Sequence, residues 1–173
     1  RGARGLDGYF GTRETIDVVR GALGRYRARG HGPLAIVGIS SPRGGPQPSH
    51  HSHQNGLDID VRYPITHGSR WTPEVSRDTL QVFADFVKTA RQTGVPVSTI
   101  YVSTGILRSL CRFLRDGAPG ATAVDRKALS DVTSVMRAHE GHGGHFHVRL
   151  SCPARLAGTC EDAPGVGPAG CPR

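Results

Sequence analysis

Seven of the nine histidines in this 173-residue chain fall in two short windows. The first, around HSHQNGLDID (51–60), holds His50, His51 and His53 ahead of Asp58 and Asp60. The second runs from His139 into GHGGHFHVRL (141–150) and holds His142, His145 and His147. Two imidazoles and one carboxylate with an open fourth position describe a catalytic zinc site, whereas structural zinc sites are closed and rich in cysteine. An ion held that way brings the pKa of its bound water towards about 7 and polarises a carbonyl oxygen, as peptide or ester hydrolysis requires. A histidine beside the ion but outside its ligand shell takes or gives the proton. His145 is placed for that role, with His142 as the second candidate. A lone surface histidine is ordinarily just solvated, and the case for a metal rests on the clustering. Asp58 has its own ordinary explanation: it orients a ligand or pairs with an arginine without touching metal. An expression tag does not account for histidines interleaved with strand residues.

The elements must bring the two windows together. His53 and Asp60 are too far apart to share a face of one regular element, but a loop turning back at Gly56 onto a strand can present both. LDIDVRY (57–63) alternates, with Leu57, Ile59 and Val61 on one face and Asp58, Asp60 and Arg62 on the other. This predicts a half-buried strand with its carboxylates on the open side. HFHVRLS (145–151) alternates in the same way, and puts His145 and His147 on one face roughly 7 Å apart. PLAIVGIS (33–40) reads as a buried strand and VSTIYVS (97–103) as another. Helices are predicted from the Thr12 cap to about Arg29, with Ile16, Val19, Leu23 and Tyr26 as the apolar stripe and Gly30 as the stop. Further helices are expected over 76–93, 104–115 and 126–139. The Pro/Gly-rich stretch 41–56 is too long for a simple turn, and structureless loops of that length are usually functional. The mixture lacks a regular βαβ rhythm. The expectation is an α+β fold: a small, mostly antiparallel sheet flanked by helices, with long ordered loops.

Composition bounds the rest. A chain of this length is most simply one domain over 1–173, able to bury a core without a metal to hold it up. The net charge of +8 favours encounter with anionic polymers such as nucleic acid, anionic lipid or cell wall. Its arginines are scattered singly, and no helix-turn-helix, zinc-finger or aromatic RNA-binding signature accompanies them, which argues against a specific nucleic-acid reader. No apolar run approaches the length of a membrane span. The four cysteines, at 111, 152, 160 and 171, include no C-x-x-C pair; an even count in a Gly/Pro-rich tail reads as two disulfides and an oxidising compartment. The start at Arg1, with no apolar leader, reads as a mature or trimmed form.

SHQNGLDID (52–60) followed by HFHVRLSCP (145–153), with the approach LAIVGISSPRGGP and the opening GTRETIDVV, resembles the penicillin-insensitive murein endopeptidases. These belong to the wider group of lysostaphin-like, D-Ala-D-Ala metallopeptidase and hedgehog-type domains. The resemblance covers about residues 8–171. It implies one zinc ion on His53, Asp60 and His147, with His145 as the catalytic or transition-state-stabilising histidine. His50 and His142 match family histidines that line the cleft, and Arg43 is a guess for holding a substrate carboxylate. The implied substrate is the peptidoglycan cross-link, a D-alanyl bond to diaminopimelate, cut in the periplasm or outside the cell. The implied disulfides are Cys152–Cys160 and Cys111–Cys171, the second pinning the C-terminal tail. The GHGG linker before His145 and the Pro/Gly content of the tail depart from the family pattern and bear on cleft shape. Two other readings compete: a D,D- or L,D-carboxypeptidase or dipeptidase sharing the same site, and a wall-binding domain that keeps zinc without catalysis.

Overall fold

The computed structural model describes residues 8–45, 52–66, 68–116, 123–158, 160, 162 and 165–171, with 123–126 described by backbone alone. Five strands form one mixed sheet in the order β1-β2-β5-β3-β4: β1 (Ile36–Gly38), β2 (Asp58–Arg62), β3 (Val97–Val102), β4 (Met136–Ala138) and β5 (His145–Leu150). The helices are α1 (Arg13–Ala28), α2 (Pro73–Gln92), α3 (Thr104–Arg115) and α4 (Ala123–Thr133). The fold is α+β, as expected. Every strand pairing is antiparallel except β3 with β4.

The register of β2 on β5 governs everything that follows. Asp58 faces Arg149, Asp60 faces His147 and Arg62 faces His145. Because side chains alternate, that register gathers the polar residues of both strands on one face; a slip of one residue would scatter them. The other face carries Ile59, Val61, Phe146 and Val148, all fully buried. Phe146 packs edge-on against Phe83 of α2 with centroids 4.8 Å apart, a favoured aromatic geometry. Thus the hydrophobic layer between the sheet and α2 holds the polar face in place.

Four expectations need correction. First, the carboxylates of β2 are not on an open side: Asp58 and Asp60 are buried, because the loop bearing His53 folds over them and β5 flanks them. Second, the most deeply buried residues of α1 are Thr15, Val18, Ala22 and Tyr26, while Ile16, Val19 and Leu23 of the predicted stripe are partly buried and pack against the same core. Gly21 lets α2 approach closely, since a Cβ there would stand 2.5 Å from Cγ2 of Thr89. Third, only residues 36–38 of the predicted 33–40 strand pair, at the sheet edge, with Val37 exposed. Fourth, the predicted 126–139 helix begins at Ala123, ends at Thr133 and gives way to β4. Its last residues are claimed by β3, with Ile100 N–H donating to Val135 O and His139 N–H to Val102 O. Helix α2 also starts earlier than expected, where Thr72 caps it and Pro73 occupies the first turn, a position that needs no N–H donor.

Both implied disulfides form. Cys152–Cys160 closes a short loop after β5, and Cys111–Cys171 ties the tail to α3. The tail thereby runs along the outer edge of β4, with Gly170 N–H donating to Met136 O, and covers an edge that would otherwise be open to pairing. Among the described residues no helix is long and apolar enough to cross a membrane.

Candidate metal centre

The loop before β2 is fixed before it reaches the site. Gly56 adopts φ +75°, and a Cβ there would lie 3.1 Å from backbone atoms of Gly11 and Thr12, so the turn towards β2 requires glycine. Its carbonyl accepts from Thr15 Oγ1 at 2.7 Å, which moors the loop to α1. On the other side of the turn, Ser40 Oγ donates to the His53 carbonyl at 2.8 Å. His53 is thus held over the polar face of β2 and is itself buried.

His53, Asp60 and His147 offer ligand atoms that all lie within 4.8 Å of one another. His53 Nε2 stands 3.2 Å from Asp60 Oδ2, and His147 Nδ1 stands 3.0 Å from Asp60 Oδ1. The far nitrogens decide what the near ones present. His53 Nδ1 meets the carbonyl of Ile39, which can only accept, so that nitrogen carries the hydrogen and Nε2 presents its lone pair. His147 Nε2 lies 2.7 Å from Asp58 Oδ1, and the carboxylate draws the hydrogen there and leaves the Nδ1 lone pair facing Asp60. Asp60 Oδ1 is buried and lacks a hydrogen-bond donor of proper geometry among the described residues. Two imidazole lone pairs and a carboxylate converging this closely in a buried site repel one another unless a proton or a metal ion lies between them. The residues present therefore fit a bound metal ion.

Protonation follows the same charges. Burial works to raise the pKa of Asp58 and Asp60, but their histidine and arginine partners outweigh it, and both stay below the usual carboxylate range. Burial in turn works to lower that of His147, and the two carboxylates raise it on balance. A proton and a metal ion thus compete for the same nitrogen.

The second histidine group forms the mouth of the site. His145 Nε2 stands 3.6 Å from Asp60 Oδ2, with its side chain 23% exposed. His142 packs its ring 5.3 Å from that of His145 and 5.7 Å from that of His147. Its Nδ1 donates to the Glu140 carbonyl at 2.8 Å, which leaves Nε2 as an acceptor. Burial first, and then the charge of His147, hold its pKa below the ordinary histidine value. The turn bearing it is anchored from behind, where Tyr63 O–H donates to the His142 carbonyl at 3.0 Å.

Of the expected residues, the fold brings together His53, Asp60, His147, His145 and His142. Arg43 sits exposed on the Ser41–Gly44 turn and makes no ion pair or hydrogen bond to the cluster among the described residues. His50 lies outside the described residues. Sequence reasoning missed Tyr101, whose ring packs 5.6 Å from His147 and 5.1 Å from His139 and whose O–H accepts from Val166 N–H. Nothing in VSTIYVS marks that role. Arg149, which donates to Asp58 at 2.8 Å, could have been found by pairing the two alternating strands in antiparallel register.

A five-stranded α+β sheet carrying a buried two-histidine, one-carboxylate cluster defines the class: a small protein built around a candidate metal centre. The family model described as penicillin-insensitive murein endopeptidase matches residues 4–93, a range that includes His53 and Asp60 but not His145 or His147. Among curated relatives of that name, the Salmonella typhi protein is 30% identical and the one from Salmonella heidelberg (strain SL476) is 32% identical. Each alignment covers 90% of this chain and 58% of the relative, so the chain spans somewhat more than half the length of these relatives. The chain belongs to the penicillin-insensitive murein endopeptidase family.

Proposed function

We propose that the chain is the catalytic unit of a zinc-dependent murein endopeptidase that hydrolyses D-alanyl–diaminopimelate cross-links of peptidoglycan. One observation carries this reading: His53, Asp60 and His147, all buried, bring a ligand atom each within 4.8 Å of one another, with the far nitrogen of each ring held by an acceptor. A zinc ion held by these three groups supplies Lewis acidity, polarising a carbonyl and acidifying a water.

The remaining steps belong to the protein. Asp58 keeps the His147 ring from turning and is itself held by Arg149. Tyr101 packs its ring edge-on against His147. His145, partly exposed at the mouth, accepts a proton at Nε2 from the attacking water and returns it to the amine nitrogen as the amide C–N bond breaks. His142, neutral and with Nε2 as acceptor, lines the same opening and steadies the His145 ring. The two disulfides suit a periplasmic or secreted protein, and the net positive charge suits an anionic wall polymer.

The test is digestion of cross-linked, diaminopimelate-type muropeptides with products weighed by mass spectrometry. Dimers become monomers with the zinc-loaded protein, and persist with His147→Ala or after o-phenanthroline treatment. Dimers that persist with the intact, zinc-loaded protein while it still pulls down with sacculi would replace this reading with a wall-binding role.

A further inference from the structure

Beside the metal centre a groove of about 830 Å³ opens between the end of β2, the following loop, the start of α3 and the Gly143–Gly144 turn. That volume is in the range of small-ligand sites. Arg62, Tyr63, Trp71, Ser103 and Ser109 line it. It adjoins the candidate centre along the chain, since its lining residue Arg62 follows Asp60 on β2 and its Gly143–Gly144 turn leads into His145 of β5. Arg62 stands on the same face as Asp60, two residues or roughly 7 Å further along, and pairs in register with His145.

Arg62 is the only cation lining this groove among the described residues, and it forms no ion pair with any described carboxylate. Its guanidinium donates from Nη1 to the Gly144 carbonyl at 3.3 Å, a bond that holds the group at the groove mouth and leaves most of its donors for a ligand. Gly144 makes room for it, since a Cβ there would lie 3.2 Å from Nη1. Among the described residues the polar lining otherwise consists of hydroxyls, backbone and the Trp71 indole, with no carboxylate to repel an anion. Across the groove Trp71 is a fixed wall: its Nε1–H donates to Ser76 Oγ at 2.7 Å and its ring meets Tyr63 edge-on at 5.3 Å. A planar fork that presents parallel N–H groups matches a carboxylate bidentately.

We propose that this groove is the subsite for the substrate's free carboxylate on one side of the scissile bond, with Arg62 as the anchor that aligns the peptide against His145. The inference rests on the peptidase reading above and adds a specificity-determining residue to it. Arg62 acts by holding substrate and has no part in the proton transfers.

Trp71 is the single tryptophan of the chain, so its fluorescence reports groove occupancy directly. The experiment titrates zinc-loaded protein with the L-Ala-D-Glu-diaminopimelate tripeptide and with its fully amidated counterpart, for wild type, Arg62→Gln and Arg62→Lys. In parallel, dimer cleavage is followed for the same three proteins. The expected result is a saturable Trp71 response to the acid form, weakened about 10–100-fold in Arg62→Gln. Arg62→Lys, a point charge without the fork, recovers part of it. The amidated peptide is indifferent to all three, and in cleavage Arg62→Gln raises KM with kcat nearly held. Equal binding of acid and amide forms, or cleavage with a KM independent of Arg62, overturns the anchor while leaving the peptidase reading intact. Arg62-dependent binding without any cleavage keeps the carboxylate site and removes the peptidase reading.

Discussion

The two histidine groups of this protein differ in how their rings are held. His53 and His147 are buried, and each far nitrogen is fixed by an acceptor from another part of the chain, the Ile39 carbonyl and the Asp58 carboxylate. His142 and His145 sit at the protein surface beside a turn rich in glycine. Among the described residues, the hydrogen bonds of the His142 ring go to carbonyls within its own turn. Rings with one frozen tautomer suit a ligand that must present the same lone pair at all times. Rings nearer to water suit groups that gain and lose a proton. The same residue type thus serves two chemistries, separated by burial and by where its second nitrogen points.

That contrast can be broken from either side. The largest effect is expected from Asp60→Asn, which removes the charge between the two buried imidazoles; bound zinc, measured by elemental analysis after dialysis, and dimer cleavage should both vanish. Next comes His145→Ala, which should lower kcat about 10²–10⁴-fold while one zinc per chain is retained. His142→Ala should cost less under the same assay. Loss of zinc from His145→Ala would erase the distinction between the two groups. Asp58→Asn sharpens it: the His147 ring keeps its place but loses the partner that fixes its tautomer, and zinc affinity in a chelator competition should fall about 10–100-fold.

The smallest effect lies away from the site, at the ion pair of Glu14 on α1 with Arg155, whose oxygens accept at 2.6 and 2.7 Å. The hydrogen bond from Arg155 is the main cause that lowers the Glu14 pKa from 4.5 to about 2. Its stabilisation is therefore present above about pH 4.5 and is lost as pH falls towards 2. Glu14→Gln should cost little at neutral pH, because water screens this exposed pair, and should flatten that part of the acid limb in urea denaturation.

Much of the framework was legible because it depends on local pattern. Thr12 caps α1 as expected, and the 104–115 helix has the expected bounds. The period-two alternation of 57–63 and 145–151 marked both site strands. The misreadings came from competition between elements. Residues 135–138 carry a pattern compatible with a helix, but β3 offers their backbone a ladder and the strand prevails.

The sequence by itself determined the ligand types, the alternation that puts Asp58 beside Asp60 and His145 beside His147, and the even set of cysteines. Only the tertiary structure decided that the carboxylates are buried, that Asp58 grips His147 from 89 residues away, and that a main-chain carbonyl 14 residues from His53 selects its tautomer. The reason is physical. Residue type and local period are properties of the chain, but a lone pair's direction is set by the partner on the ring's other nitrogen, and that partner arrives only with the fold.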